Sequence, residues 1–110
     1  MDMSQYLGIF TEESKEHLQS MNDILMKLEN SPEDINLLNE IFRMAHTLKG
    51  MSGTMGFNNI SSLTHQMENL LDKIRNKEII VNVDVIDLLF ECFDELEKYV
   101  DQIESNNIEG

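Results

Sequence analysis

The stretch His46-Thr47-Leu48-Lys49-Gly50 has the means to do chemistry. An imidazole nitrogen attacks phosphorus when the ring is neutral and that nitrogen's lone pair is free. Free histidine, with a pKa of about 6.5, meets the first condition at physiological pH. On a helix, the positions three, four and seven beyond His46 lie over the same face, and they hold Lys49, Gly50 and Gly53. A cation and two missing side chains therefore border the ring. Each glycine inside a helix costs about 1 kcal/mol relative to alanine, so two on one face need a reason. Clearance for another protein's active site is one reason. Close packing against a neighbouring helix, or fraying near the helix end at Gly56, is another, and local spacing leaves these alternatives open.

The charge map favours phosphoryl chemistry. The 110 residues include 21 acidic and 8 basic ones, a formal net charge of −13, yet no Asp or Glu falls between Glu40 and Glu68. Arg43 and Lys49 are the only formal charges in that gap. A phosphoryl group adds roughly two negative charges, which nearby carboxylates would repel and a lysine one turn away would hold. Glu68, the first carboxylate after the gap, is the candidate to orient the ring. Accepting a hydrogen bond from one ring N–H, it would fix the tautomer and leave the other nitrogen as nucleophile. Lys49 would then steady the phosphoryl oxygens as a point charge.

Four helical patterns must position these residues. From about Ser4 to Glu29, Leu7, Phe10, Ser14, Leu18, Met21, Leu25 and Leu28 alternate by three and four and predict the first helix. His17 sits at that stripe's margin as an ordinary boundary residue. Asn30-Ser31-Pro32 then breaks the chain, with Ser31 as N-cap, Pro32 at the first helical position and Asp34 three residues past the cap. The second helix carries His46 beside a stripe of Leu38, Ile41, Phe42, Ala45, Leu48, Ser52 and Met55, and stops near Gly56. Asn58 or Asn59 caps a third, with Ile60, Leu63, Met67, Leu70, Leu71 and Ile74 inward, ending around Asn76. His65 and Glu68 share its neighbouring face. Lys77 to Val81 includes Ile79-Ile80-Val81, which lacks a partner strand and is expected as a connection tucked over one end. After Asn82, Ile86, Leu89, Phe93, Leu96, Val100 and Ile103 form the most regular stripe. Asp87, Asp94, Glu97, Asp101 and Glu104 make its solvated face, and Val85, Leu88, Cys92 and Tyr99 add a second apolar strip that four helices leave uncovered.

These four amphipathic helices with short connections predict an all-α fold, an up-down-up-down antiparallel four-helix bundle spanning residues 1–104, with 105–110 as the start of a linker. One domain suits the length, and 41% hydrophobic residues suffice for one modest core. The acidic balance argues against nucleic acid and anionic membrane surfaces as partners, since both need a basic patch. Cys92 is the only cysteine, so no intrachain disulfide forms and a reducing compartment is natural. No signal peptide is visible, and no apolar run approaches the roughly 20 residues of a membrane span. A cytoplasmic location is expected. No Gly-x-x-x-x-Gly-Lys-Ser/Thr loop or kinase-like nucleotide motif occurs, so the chain is read as substrate and carrier, with ATP and Mg²⁺ handled by a separate domain.

Two stretches carry a family resemblance: His46-Thr47-Leu48-Lys49-Gly50-Met51-Ser52-Gly53-Thr54-Met55-Gly56-Phe57 and Leu63-Thr64-His65-Gln66-Met67-Glu68-Asn69-Leu70-Leu71-Asp72. Together they resemble the N-terminal histidine phosphotransfer (HPt) domain of the bacterial chemotaxis kinases of the CheA family, over essentially the whole chain. The resemblance implies that His46 is phosphorylated in trans, from ATP, by the kinase domain of a dimer partner. It further implies that the phosphoryl group passes to an aspartate on a response regulator of the CheY or CheB type. Glu68 would hydrogen-bond His46, Lys49 and His65 would complete the polar network, and Gly50 and Gly53 would keep the face open. The domain would then be the phospho-accepting part of a protein-histidine kinase, with no ATP site of its own. The family usually has a fifth helix, and its absence after the fourth is expected to reflect a shortened chain.

Three rival readings remain at this level. A phosphorelay HPt protein outside chemotaxis would keep the same chemistry. A metal-binding bundle would need Glu-x-x-His on two helices, whereas His65-x-x-Glu68 is single and reversed. In a pure interaction bundle, His46 would be a surface histidine and the outer strip would dock a partner.

Overall fold

The computed structural model describes residues 2–108 and contains four helices: α1 (Met3–Asn30), α2 (Ile35–Met55), α3 (Asn58–Arg75) and α4 (Val83–Asn106). Short connections make each helix run back along its predecessor, and α1 closes the square against α4. The expected up-down-up-down bundle results, measuring 44 × 21 × 20 Å, with no strand among the described residues.

The inward stripes form the core. Phe10, Ser14, Leu18, Met21, Leu25 and Leu28 of α1 are buried, as are Leu38, Ile41, Ala45, Leu48 and Ser52 of α2. All six stripe positions of α4, Ile86 through Ile103, are buried too. Ile60, Met67, Leu71 and Ile74 fill the α3 side, while Leu63 and Leu70 are half-buried. Thr64 also enters the core, because its hydroxyl donates to the Ile60 carbonyl at 2.8 Å and so needs no water.

Helix ends depart from expectation at three places, the first two being the α1–α2 and α2–α3 junctions. Ser31 closes α1, its N–H donating to the carbonyls of Lys27 and Leu28, and Pro32-Glu33 forms a turn. Asp34, not Ser31, is the N-cap of α2 and accepts the Asn36 N–H at 3.0 Å. A residue whose backbone ends one helix at Ser31 cannot also begin the next one across a proline turn. At the following junction Gly56 adopts φ 80° as expected, and the Phe57 N–H reaches back to the Ser52 carbonyl at 2.8 Å. Phe57 itself takes the N-cap position of α3 without a side-chain bond, so Asn58 and Asn59 lie in the first turn. The physical reason is burial: the Phe57 ring packs on Phe10, centroids 5.0 Å apart, and this anchors the turn where it lies.

Between α3 and α4, Ile79 and Val81 pack against the core while Ile80 stays exposed, so only part of that connection is tucked in. Asn82 caps α4 as expected, accepting the Val85 N–H at 3.0 Å. The helix then runs on to Asn106, with Asn107 in the left-handed conformation at φ 63°. Ser105 and Asn106, assigned to the linker by composition, are therefore helical; Glu109 and Gly110 lie outside the described residues. Of the second strip, Leu88 is exposed and Val85, Cys92 and Tyr99 are half-buried.

Candidate functional site

The antiparallel packing of α2 and α3 sets two stripes face to face. Along α2 run Asn39, Phe42, His46, Lys49 and Gly53, at intervals of three and four. Back along α3 run Arg75, Asp72, Glu68, His65 and Ser61, at matching intervals. Each step forward on one helix meets a step backward on the other, so His46 faces Glu68.

His46 Nδ1 lies 3.4 Å from Glu68 Oε2. A carboxylate oxygen accepts, so this contact selects, for the neutral ring, the tautomer with the proton on Nδ1 and the lone pair on Nε2. The Lys49 ammonium donates to the same Oε2 at 3.2 Å and lies 2.9 Å from Oε1. Oε1 is enclosed and has no well-directed hydrogen bond, so its contact with Lys49 is an ion pair only. The exposures divide the labour. The Glu68 side chain is 9% exposed, that of Lys49 27% and that of His46 64%. A buried carboxylate held by a half-buried ammonium presents an imidazole that another protein can reach.

Both glycines lie on the exposed side, and neither is needed for packing. A Cβ built on Gly50 would meet nothing within 4 Å, and one on Gly53 would meet only Ser61 Oγ, at 3.8 Å. Close helix packing is thereby ruled out as their reason, and both lie within α2 ahead of its cap at Gly56. Lys49, Gly50, Gly53, Thr54, Ser61 and His65 line one open groove beside His46. His65 is exposed there and makes no hydrogen bond to His46, Lys49 or Glu68 among the described residues. Both acids on the α3 stripe are paired with a cation, Glu68 with Lys49 and Asp72 with Arg75.

A second group adjoins the first and went unnoticed in the sequence. Phe42, one turn before His46, lies with its ring within 6° of parallel to the imidazole, centroids 6.4 Å apart. The Arg75 guanidinium sits over the Phe42 ring, 4.0 Å from its centroid. Arg75 is held in turn by Asn39 Oδ1 at 3.1 Å and by the Asp72 carboxylate. Phe42 reads as core by periodicity and spacing along the chain gives Arg75 no role, so only the facing-stripe register could have joined them.

His17 behaves as its position suggests, its Nδ1–H donating to the Glu13 carbonyl of its own helix at 2.9 Å. Among the described residues, no three His, Cys, Asp or Glu side chains gather as a metal would require. No helix among them is long and apolar enough to cross a membrane.

Comparison with known proteins is consistent with this geometry. A model of the Hpt domain matches residues 5–106. The chemotaxis protein CheA of Bacillus subtilis is 54% identical over 103 residues, covering 94% of this chain and 15% of that protein, so this chain spans a small part of the relative it matches. The CheA phosphotransferase domain from Thermotoga maritima is 50% identical, covers 94% of this chain and 98% of that one, and superposes with a TM-score of 0.89. The phosphorylated P1 domain of CheA3 from R. sphaeroides, solved in complex with CheY6, is 20% identical with a TM-score of 0.87 over 96% of this chain and 83% of that one. At that identity the likeness is one of fold.

Proposed function

This chain belongs to the Hpt domain family, and we propose that His46 is the phosphoryl carrier of a chemotaxis kinase of the CheA type. The observation that carries the reading is the His46–Glu68–Lys49 arrangement, in which the carboxylate beside the ring is paired with a lysine. Nε2 attacks the γ-phosphorus of ATP held by a kinase domain acting in trans. The bond from that phosphorus to the bridging oxygen breaks, and ADP leaves with the electron pair. The ring becomes an N-phosphorylated imidazolium, its Nδ1 proton facing Glu68, which stabilises the new positive charge. Lys49 stands one turn away to meet the phosphoryl oxygens. In the second transfer an aspartate oxygen of a CheY- or CheB-type response regulator attacks phosphorus. The P–Nε2 bond breaks, and its pair returns to Nε2 as the ring's lone pair.

The nucleotide and Mg²⁺ belong to the kinase domain in this scheme, Mg²⁺ offsetting charge on the phosphates. His65 serves the groove rather than the ring, as a further polar group along the path of the phosphoryl oxygens. A cytoplasmic location follows from the same reading, since ATP and the regulators are met there. The 54% identity with the chemotaxis protein CheA of Bacillus subtilis supports the choice of a chemotaxis-type acceptor.

The test is the intact mass of this chain after incubation with ATP, Mg²⁺ and a CheA kinase fragment lacking its own phosphotransfer domain. An acid-labile gain of one phosphoryl group, absent in His46→Gln, is expected. A variant phosphorylated as well as the wild type would overturn the assignment.

A further inference from the structure

We propose that Phe42 and Arg75 are positioning residues for phosphoryl transfer, a guanidinium–phenyl stack that holds the plane of the His46 ring. The inference rests on the phosphocarrier reading of His46 and extends it to residues outside the polar trio.

One hydrogen bond cannot by itself orient an exposed imidazole. The Nδ1 to Glu68 contact, at 3.4 Å, is longer than the usual range for such bonds, and the ring is largely in water. Rotation of the ring about its bond to Cβ would swing Nε2 away from the line of attack while changing little else. Transfer through a largely dissociative transition state depends mainly on such alignment. A ring set alongside the imidazole on the same helix face restricts this rotation, and Phe42 lies within 6° of parallel to it with centroids 6.4 Å apart.

Phe42 is only half-buried and would not hold that pose unaided. Arg75 provides the support from the other helix, 4.0 Å over the phenyl centroid, the geometry in which a cation is drawn to an aromatic face. The guanidinium is itself tied at both ends, to Asn39 on α2 and to Asp72 on α3. Arg75 thus bridges the two helices two turns from Glu68, and the two crosslinks bracket His46. Lysine could not replace it, because only a planar fork stacks on the ring while bonding Asn39 and Asp72 in different directions.

The chemical donor phosphoramidate separates this role from any docking of a kinase. Nε2 forms a bond to phosphorus, the P–N bond of the donor breaks, and neutral ammonia leaves with its electron pair from the donor's protonated nitrogen. No further co-reactant is needed. Phe42→Leu is expected to slow phosphorylation of His46 by about two- to tenfold, the scale of one lost aromatic contact. The ¹⁵N signals of His46 should move from a single Nδ1–H tautomer toward a mixture. Phe42→Tyr, which keeps the ring, should restore both readouts, and Arg75→Lys should move them in the same direction as Phe42→Leu. Unchanged rates and unchanged tautomer in folded Phe42→Leu and Arg75→Lys would overturn the inference. Should Phe42→Leu lose its fold, Arg75→Lys decides alone. Failure of wild-type His46 to take any phosphoryl group would instead strike the phosphocarrier reading on which this stands.

Discussion

At the scale of single residues, Glu68 has two partners and two tasks. In the proposed mechanism its Oε2, facing His46 Nδ1, orients the ring, while both oxygens meet the Lys49 ammonium from a position that is almost fully buried. Glu68→Gln keeps the shape but can present its NH₂ group to Nδ1 and cannot stabilise the imidazolium. Phosphorylation should slow by roughly 10²-fold, within the range for loss of an acid–base partner, while the circular dichroism spectrum stays helical. Lys49→Ala should act differently. It leaves a buried carboxylate without its cation, and because Lys49 is partly exposed the cost should be about 1–2 kcal/mol, below the 3–5 kcal/mol of a fully buried pair. Urea unfolding measures this, and an unchanged midpoint with slower transfer would assign Lys49 to the phosphoryl group alone.

At the scale of elements, α2 carries a contradiction between stability and use. Gly50 and Gly53 weaken a helix whose remaining residues form it well, and neither contact nor backbone conformation demands them. Gly50→Ala and Gly53→Ala should therefore each stabilise the domain by about 0.5–1 kcal/mol, raising Tm by roughly a few degrees. Both should slow transfer from a protein kinase domain, since the added methyl stands where a partner must approach. Rates with a small phosphodonor should change less. A Gly→Ala variant that is more stable and equally fast with the protein donor would show that clearance is not their purpose.

At the scale of the whole molecule, a net charge of −13 is spread unevenly. The outer face of α4 gathers Asp94, Glu97 and Asp101, and the Glu97 carboxyl is pushed above its usual range by burial first, then by the charges of Asp94 and Asp101. A carboxyl whose pKa is raised in the folded state favours folding while it is protonated. That contribution is present below its ordinary range and lost as pH rises through the raised value. At neutral pH the ionised Glu97 therefore opposes folding. Glu97→Gln should raise Tm at pH 7 in low salt, with the gain fading below about pH 4 and in about 1 M salt, where the Debye length falls to about 3 Å. An equal gain at all pH values would attribute the effect to packing.

The sequence by itself determined the four helices, most of the inward residues and the place of His46 beside Lys49 and the two glycines, because helical periodicity and charge spacing are local and need no partner to be read. It placed Gly56 and Asn82 at helix ends for the same reason, one through its freedom at positive φ and the other through a side-chain acceptor. Neither Ser31 nor Asn58 or Asn59 is an N-cap, because each competes with a neighbour: Ser31 is bound to α1, and the burial of Phe57 against Phe10 sets the start of α3. Glu68 was legible as the first carboxylate after the gap, but its burial was not, since burial depends on what faces it. Only the tertiary structure decided the register of α2 against α3. That register sets Lys49 beside Glu68, leaves Gly50 and Gly53 open and lays Arg75 across Phe42, because it is fixed by the summed packing of two helix faces and by no residue pair that spacing along the chain could reveal.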